Sequence, residues 1–582
     1  MRLLGHTVFL PEPGTEVFNN MNMSKNQSSR VITLLLLLSL GGGATWPLRA
    51  QETGGQQQQR ERRATPSTSS TAPRPAPTPR PAPTPMVAAA TTAPAVSSTA
   101  PRSVEELRAL ISDMLRRTEI APAQLAVKVA SLDTGRILYE ENAGKLLMPA
   151  SNMKIYTVAA ALDRLSPDYR YTTSVYANAR PDAAGSVRGD LIVYGRGDPT
   201  FAASFNNGDY YKAIDDLAAR IVAGGVKRVE GNLVGDESYF TGPPLGWGWE
   251  WDDLQTVDGA EVSALTVNNN ALDVFVKPGA GPGAQALVTT GPITTVVKIV
   301  NRVTTGPRGT KRDVTVVRPL GENVLEVSGS VPLGSTEASD KGYVGSFAIT
   351  HPALVFVDLL RRSLAARGVT ITGQTQTIDA RARGNLPLQT SQLTEIASIQ
   401  SQPLSVIAAQ CLKPSQNLYA ELLLRTVGRV AGTVDPKVIT ADAGIEVVRT
   451  FLREAGIGPR EIVMADGSGL SRHNLITADA TMRLLVFMSR HRYASTFRDA
   501  LPIAGVDGTL KNRMKGTPAA GNLRAKTGTI NTVATLSGYV TSATGERLVF
   551  SVLLNNYPEA PSERRVYLDT IAVALASFAG RS

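Results

Sequence analysis

A single cysteine, Cys411, stands among 582 residues, so no internal disulfide can form. It follows the stretch "PLSVIAAQ" and reads as a small buried apolar residue. Histidine is nearly as scarce. His6, His351, His473 and His491 are scattered, and no Cys/His set has zinc spacing. With no G-x-S-x-G elbow either, a Ser-His-Asp hydrolase is poorly supported. Dense basic blocks with interleaved aromatics are missing too. The net charge is +10, but +6 of it lies in the first 102 residues as dispersed single charges. Nucleic acid is therefore not expected as a partner.

The one strongly apolar run near the start, residues 31–40, is about half the roughly 20 residues of a spanning helix. Lys25 and Arg30 precede it, which is the pattern of a secretory signal. Residues 1–50 are assigned to that signal, with cleavage near Ala50 and a start at Met21 or Met23. No cysteine follows the run, which excludes a lipoprotein anchor; an uncleaved anchor stays open. The expected location is outside the inner membrane, in the periplasm or cell envelope. Residues 51–102, with "APRPAPTPRPAPTP" at their centre, read as a disordered Pro-rich linker, because such a segment buries too little apolar surface to order itself.

Beyond the linker, 42% hydrophobic content promises a sizeable core. "VEELRALISDMLRR" has helical spacing, and "AQLAVKVASLDTGRILYEENA" reads as strand, turn and strand. Next, Ile155, Val158, Ala159, Leu162 and Leu165 mark one helical stripe. Ser151 and Lys154 fall in its first turn, three residues apart and able to face each other. Near the end, residues 536–541 and 547–555 read as strands around "SATGE", with a closing helix at 562–579. Between about 169 and 400, short β-rich runs alternate with Gly/Pro turns. The fold class expected is α+β. Residues 103–168 and 401–582 form a domain of helices on an antiparallel sheet, and residues 169–400 are a large, mostly-β insertion of two subdomains.

Three short motifs occur in order: Ser-x-x-Lys at Ser151–Lys154, Ser-x-Asn at Ser415–Asn417, and Lys-Thr-Gly at Lys526–Gly528. Together they are the set of penicillin-binding proteins and serine β-lactamases. The chemistry suits the residues. A serine hydroxyl needs an adjacent base. Lys154, if desolvated and near the second cation Lys526, can hold a neutral amine. Ser415 can relay a proton to the leaving group, and Asn417 can orient Lys154 and a substrate amide. Lys526 and Thr527, beside Gly528, offer charge and hydroxyl to a terminal carboxylate. The backbone N–H groups of Ser151 and Thr529 would form an oxyanion hole, a contribution of about 3 kcal/mol per donor.

The 264-residue gap between Ser151 and Ser415 exceeds that of compact class A β-lactamases. With "YGRGDPTF", "GWGWEWDDL", "SALTVNNNAL", "KPSQNLYAELLL", "DGSGLSRHNLIT", "GTLKNRM" and "RAKTGT", the chain from about residue 104 to 580 resembles the class C low-molecular-mass penicillin-binding proteins, the D-alanyl-D-alanine carboxypeptidase/endopeptidase family. Gln416 stands where that family more often has Asp.

The resemblance implies a transpeptidase/β-lactamase-like domain interrupted by domains II and III. The implied activity is cleavage of D-Ala-D-Ala termini or D-Ala–diaminopimelate cross-links in peptidoglycan through an acyl-enzyme on Ser151. Stem peptides and β-lactams are the implied partners, and no metal or organic cofactor is implied; peripheral membrane or wall association and a homodimer stay open. It also implies that Arg472 and Asp252 or Asp253 recognise the zwitterionic end of diaminopimelate. Ser468 tempts as a second nucleophile but reads as a turn serine. Trp247, Trp249 and Trp251 read equally well as packing at a domain junction. The alternatives are a β-lactamase-like serine hydrolase, though no Glu-x-x-Leu-Asn element follows the second motif, and a non-catalytic penicillin- or wall-binding protein.

Overall fold

The computed structural model describes residues 100–334, 342–433, 435–557 and 561–582. The signal and residues 51–99 of the linker lie outside the described residues. In chain order the elements that position the site are α1 (Val104–Leu115), β1 (Gln124–Ser131), β2 (Ile137–Glu141), α2 (Met153–Leu165), β3 (Thr172–Ala177), β4 (Leu191–Tyr194), α3 (Lys212–Ala223) and β5 (Leu233–Asp236). They continue as α4 (Pro352–Ala366), β6 (Thr375–Ile378), β7 (Thr394–Gln400), α5 (Leu404–Leu412), α6 (Asn417–Ala431), α7 (Thr440–Glu454), α8 (Ala478–Ser489), β8 (Arg524–Ile530), β9 (Val533–Thr541), β10 (Arg547–Asn555) and α9 (Pro561–Ser577).

The two ends of the described chain share one antiparallel sheet, ordered β8-β9-β10-β1-β2. Val127 of β1 lies opposite Val552 of β10, and Lys526 of β8 opposite Ser537 of β9. Side chains alternate across a strand, so this sheet feeds two cores. Val127, Val129, Phe550 and Val552 pack with Leu107 of α1 and Ile571 of α9. Ala126, Ala130, Val549 and Leu553 pack on the other face with α2 and α8. The opening hairpin and the closing helix thus meet in one core, as expected. Pro101, which the sequence reading left in the linker, is buried, and its carbonyl accepts from Ala579 N–H at 2.8 Å.

Helix α2 exceeds its predicted stripe. Tyr156, Thr157, Ala160 and Ala161 are buried along with Ile155, Val158 and Leu162. A helix enclosed on all sides belongs to a core, and α2 is flanked by α6, whose first 12 residues are all buried. Between these halves of the chain, residues 172–400 build sheets and a core of their own. The main one is mixed, ordered β6-β5-β4-β3-β7, with β4∥β5 and β5∥β6. Parallel neighbours need a crossover; α3 lies between β4 and β5 in sequence and α4 between β5 and β6. The β-rich texture had given no notice of these two helices. Three three-stranded sheets complete the region among the described residues: Ala271–Lys277 with Leu287–Gly291 and Tyr343–Ala348, Lys298–Gly306 with Asp313–Val317 and Val324–Pro332, and the short strands Ser186–Val187, Arg228–Val229 and Thr370–Ile371. No described helix is long and apolar enough to cross a membrane.

Candidate active site

Pro149 does precede a helix start, but the first turn is a tight 3₁₀ turn, Ala150–Asn152, that leads into α2. Ala150 adopts φ +45°, an uncommon backbone state for a residue with a Cβ. Three contacts fasten the turn to the sheet. Thr535 Oγ1 donates to Pro149 O at 2.9 Å, and Asn152 Nδ2 donates to Ser537 Oγ at 2.7 Å. Gly528 of β8 packs so close that an added Cβ would lie 2.7 Å from Pro149 O. The Lys-Thr-Gly glycine is therefore needed for close approach of strand to turn. Gly469, at φ +83°, allows the 466–472 loop to press on Ala150 in the same way.

Within this frame Lys154 Nζ lies 2.9 Å from Ser151 Oγ, 2.6 Å from Asn417 Oδ1 and 2.7 Å from Ser468 O. Lys154 is fully buried, and burial holds its amine below the usual lysine range against the opposing pull of Asp466, Asp258 and Glu421. Lys526 is buried as well. Its Nζ donates to Ser415 Oγ at 2.8 Å and to Thr527 O at 2.7 Å. Burial and then the Lys154 cation push it well below the ordinary value. Ser415 itself sits at φ +69°, a strained state of the kind that collects at functional sites. Gln416 caps α6 by accepting Leu418 N–H at 2.9 Å, a task an Asp could also perform, so the departure from the usual motif leaves the cap intact.

Ser151, Ser415, Asn417, Thr527 and Thr529 line one cleft of about 380 Å³, with Asp258, Leu470, Thr509 and Arg565. Thr527 Oγ1 and Thr509 Oγ1 are 2.7 Å apart. A larger cavity of about 700 Å³, lined by Met482, Phe487 and His491, contains none of these motif residues.

Several participants escaped the sequence reading. Asn417 Nδ2 donates to Asp258 O at 3.0 Å, so the inserted region touches the second motif through a backbone carbonyl. Ser468 also contributes its carbonyl. Its hydroxyl lies 3.3 Å from Asp466 Oδ2, within the loop. Two buried carboxylates brace that loop. Asp466 accepts from Gly469 N–H, Ser471 N–H and Asn474 Nδ2, while Glu421 Oε1 accepts from Gly467 N–H and Ser468 N–H. Burial raises the Glu421 carboxyl to about 7. The density of small polar residues in "DGSGLSRHN" was the available signal for this loop.

Arg472 is on the expected loop and forms an ion pair with Glu250 at 3.0 Å; among the described residues Asp252 and Asp253 form no ion pair. Asp253 Oδ2 turns back and accepts Glu250 N–H at 3.1 Å. Asp252 precedes and Asp253 opens a short 3₁₀ turn, Asp253–Gln255. The tryptophan segment does pack at the junction of the two regions. Trp249 Nε1 donates to Asp466 at 2.9 Å, and Trp247 stacks on His473 with centroids 4.1 Å apart. Trp251, 71% exposed, packs little.

A fold of helices around a five-stranded sheet, with a lysine-bonded serine in the cleft, defines a transpeptidase/β-lactamase-like protein. Residues 107–575 match the D-Ala-D-Ala carboxypeptidase 3 (S13) family, and the chain belongs to it. It is 36% identical over 465 residues to a D-alanyl-D-alanine carboxypeptidase of Actinomadura sp. (strain R39), covering 78% of this chain and 81% of the relative. It is 26% identical over 441 residues to the D-alanyl-D-alanine carboxypeptidase DacB of Haemophilus influenzae, covering 75% and 86%. The crystal structure of penicillin binding protein 4 (dacB) from that organism superposes with a TM-score of 0.67 at 25% identity, covering 80% of this chain and 98% of the other. The chain is a serine-type DD-carboxypeptidase.

Proposed function

We propose that Ser151 is the nucleophile of this DD-peptidase and Lys154 its base. The observation that carries the reading is the bonding of Lys154. A buried amine held by Ser151 Oγ, Asn417 Oδ1 and Ser468 O, and depressed by burial, is placed to take the Ser151 proton. Ser151 Oγ then attacks the carbonyl of the D-Ala residue before the scissile bond. The N–H groups of Ser151 and Thr529 receive the developing oxyanion. Ser415, bonded to Lys526, relays the proton held by Lys154 to the departing amine as the peptide C–N bond breaks, and water afterwards hydrolyses the ester. Asn417 holds Lys154 and the substrate amide; Lys526, Thr527 and the backbone at Gly528 face the terminal carboxylate. β-Lactams acylate the same serine.

The natural substrate in this reading is a peptidoglycan stem peptide, cut at D-Ala-D-Ala ends or at cross-links, by an enzyme exported to the periplasm. Residues 103–168 and 401–582 carry the chemistry, and 169–400 form the inserted domains. Arg472, paired with Glu250, and Asp252 or Asp253 of the tryptophan segment select a side chain ending in both amine and carboxylate. Incubating the purified chain with cross-linked muropeptides and identifying products by mass tests the reading. Shortened stems and separated cross-links are expected, with neither from folded Ser151→Ala. Fluorescent penicillin is expected to label wild type alone. Label on folded Ser151→Ala overturns the nucleophile, rapid penicillin turnover without peptide cleavage favours a lactamase, and labelling without any hydrolysis favours a sensor.

A further inference from the structure

A second cavity, of about 640 Å³, lies where α6 meets the inserted region and shares no lining residue with the Ser151 cleft. Its size is typical of small-ligand sites, roughly 300–1,000 Å³. Residues 237–244, 261–264 and 379–385 wall it with His351, Pro352 and Arg425.

Arg425 is the group that asks for a partner. It is 3% exposed, yet its Nε has no hydrogen-bond partner among the described residues. One Nη donates to Pro243 O at 2.8 Å. A guanidinium offers five donors, and a buried cation short of a counter-charge is costly. Glu421, one turn back on α6, is the carboxylate whose charge acts on Arg425, but burial pushes its carboxyl up to about 7 and its Oε1 is given to Gly467 and Ser468, so it is a weak counter-charge. Among the described residues no carboxylate forms an ion pair with Arg425.

The facing walls are acidic. Glu237, Glu261 and Asp379 line the same cavity. Glu261 is engaged by Thr350 Oγ1 and by His351 N–H. Among the described residues the Glu237 carboxyl accepts only the Ser263 hydroxyl, on Oε2, and Asp379 is exposed, accepting Ala382 N–H on Oδ1. These acids form no metal-holding group among the described residues. A cation on one wall and carboxylates with spare acceptor oxygens on another complement a molecule bearing both charges. We propose that this cavity binds an amino acid or short peptide with a free carboxylate and a free amine, the carboxylate on Arg425 and the amine toward Glu237 and Asp379. Arg is suited to that task because its planar fork matches a carboxylate.

Isothermal titration of the full chain with L-alanyl-L-alanine tests the site. The L residues make the probe a poor ligand for a D,D-specific cleft. Saturable binding is expected, weakened at least tenfold in Glu237→Gln and lost in Arg425→Gln, with thermal unfolding showing that each variant is folded. Acetate, which carries only the carboxylate, should bind at least tenfold more weakly than the dipeptide. Ethylamine should not bind. If Arg425→Gln fails to fold, Glu237→Gln and the acetate comparison decide. No saturable binding, wild-type affinity in folded Glu237→Gln, or acetate binding as tightly as the dipeptide each overturns the proposal.

Discussion

Strand β10 and the inserted strand Asp313–Val317 are both rich in aliphatic residues, yet they occupy different surroundings. Every residue of β10 after Arg547 is buried, on both faces. In Asp313–Val317 no residue is fully buried, and Val317 is 51% exposed. The first sheet lies between two cores; the second leaves part of itself to solvent. The difference explains where the chemistry resides. Only a region enclosed on all sides can hold Lys154 and Lys526 away from water and still fix every acceptor around them. The inserted region reaches the cleft through Asp258, whose carbonyl holds Asn417, and meets the loop beside it through Glu250 on Arg472.

The strongest way to break the contrast is to empty the enclosed region of its amine. Lys154→Met keeps a similar length without the nitrogen, and acylation by penicillin should fall by at least about 1,000-fold. In wild type the amine is held below the usual lysine value of 10.5, so its neutral fraction grows as pH rises through that lowered value. The acylation rate should therefore climb with pH in that window and level above it. Stopped-flow penicillin acylation across pH measures both effects. A Lys154→Met enzyme that keeps the same rising limb would remove Lys154 from the base role.

A second perturbation concerns the carboxylate behind the site. Glu421 titrates near 7 in the folded protein against a reference of 4.5. Between those values the folded state holds a proton that the unfolded state has lost, so stability declines as pH rises from about 4.5 to 7 and is not regained above. Glu421→Gln keeps an acceptor oxygen for Gly467 and Ser468 while removing the ionisation. Relative to wild type it should gain about 3 kcal/mol between pH 4.5 and 8, read by denaturant titration at the two pH values. An unchanged pH slope would show that Glu421 is ionised throughout. In the adjoining sheet, Val552→Thr places a hydroxyl in a fully enclosed position and should cost about 2 kcal/mol.

At the edge between the regions the effect should be smaller and selective. Arg472→Ala should lower kcat/KM about tenfold for a peptide whose side chain ends in amine and carboxylate. A peptide capped at that end, and penicillin, should be little affected. Glu250→Gln should reproduce part of the loss. Comparing both peptides with wild type and both variants measures it; a variant that keeps the full preference would make the Arg472–Glu250 pair structural.

The contrast also separates what could be read in the sequence from what could not. Ser151, Lys154, Ser415, Asn417 and Lys526 lie in three short motifs, each fixed by local geometry, and the structure brings them within hydrogen-bond reach. The terminal hairpin and closing helix followed from alternation and helical spacing. The carbonyls of Ser468 and Asp258 left no trace, because every residue has one and only tertiary placement aims it. The Arg472–Glu250 ion pair left no trace for a related reason: in "WEWDD" three acids stand close together, and only tertiary packing decides which of them reaches the arginine. Helices α3 and α4 were obscured by the strands around them, although the parallel pairing of β4, β5 and β6 demands crossovers of that kind.

The smallest predicted effect is the sharpest test of the comparison itself. Val317→Thr changes the same atoms as Val552→Thr, at a position 51% exposed where the new hydroxyl can reach water. Threonine suits a strand as well as valine does, so neither backbone propensity nor burial opposes the change. Its cost should stay within about 0.5 kcal/mol. The kcat/KM should not move, since the strand Asp313–Val317 supplies no residue to the Ser151 cleft. Denaturant melts of the two threonine variants beside wild type give the answer. Equal losses at the two positions would mean that Val317 is covered in solution, and that the inserted region is as enclosed as the sheet that carries the site.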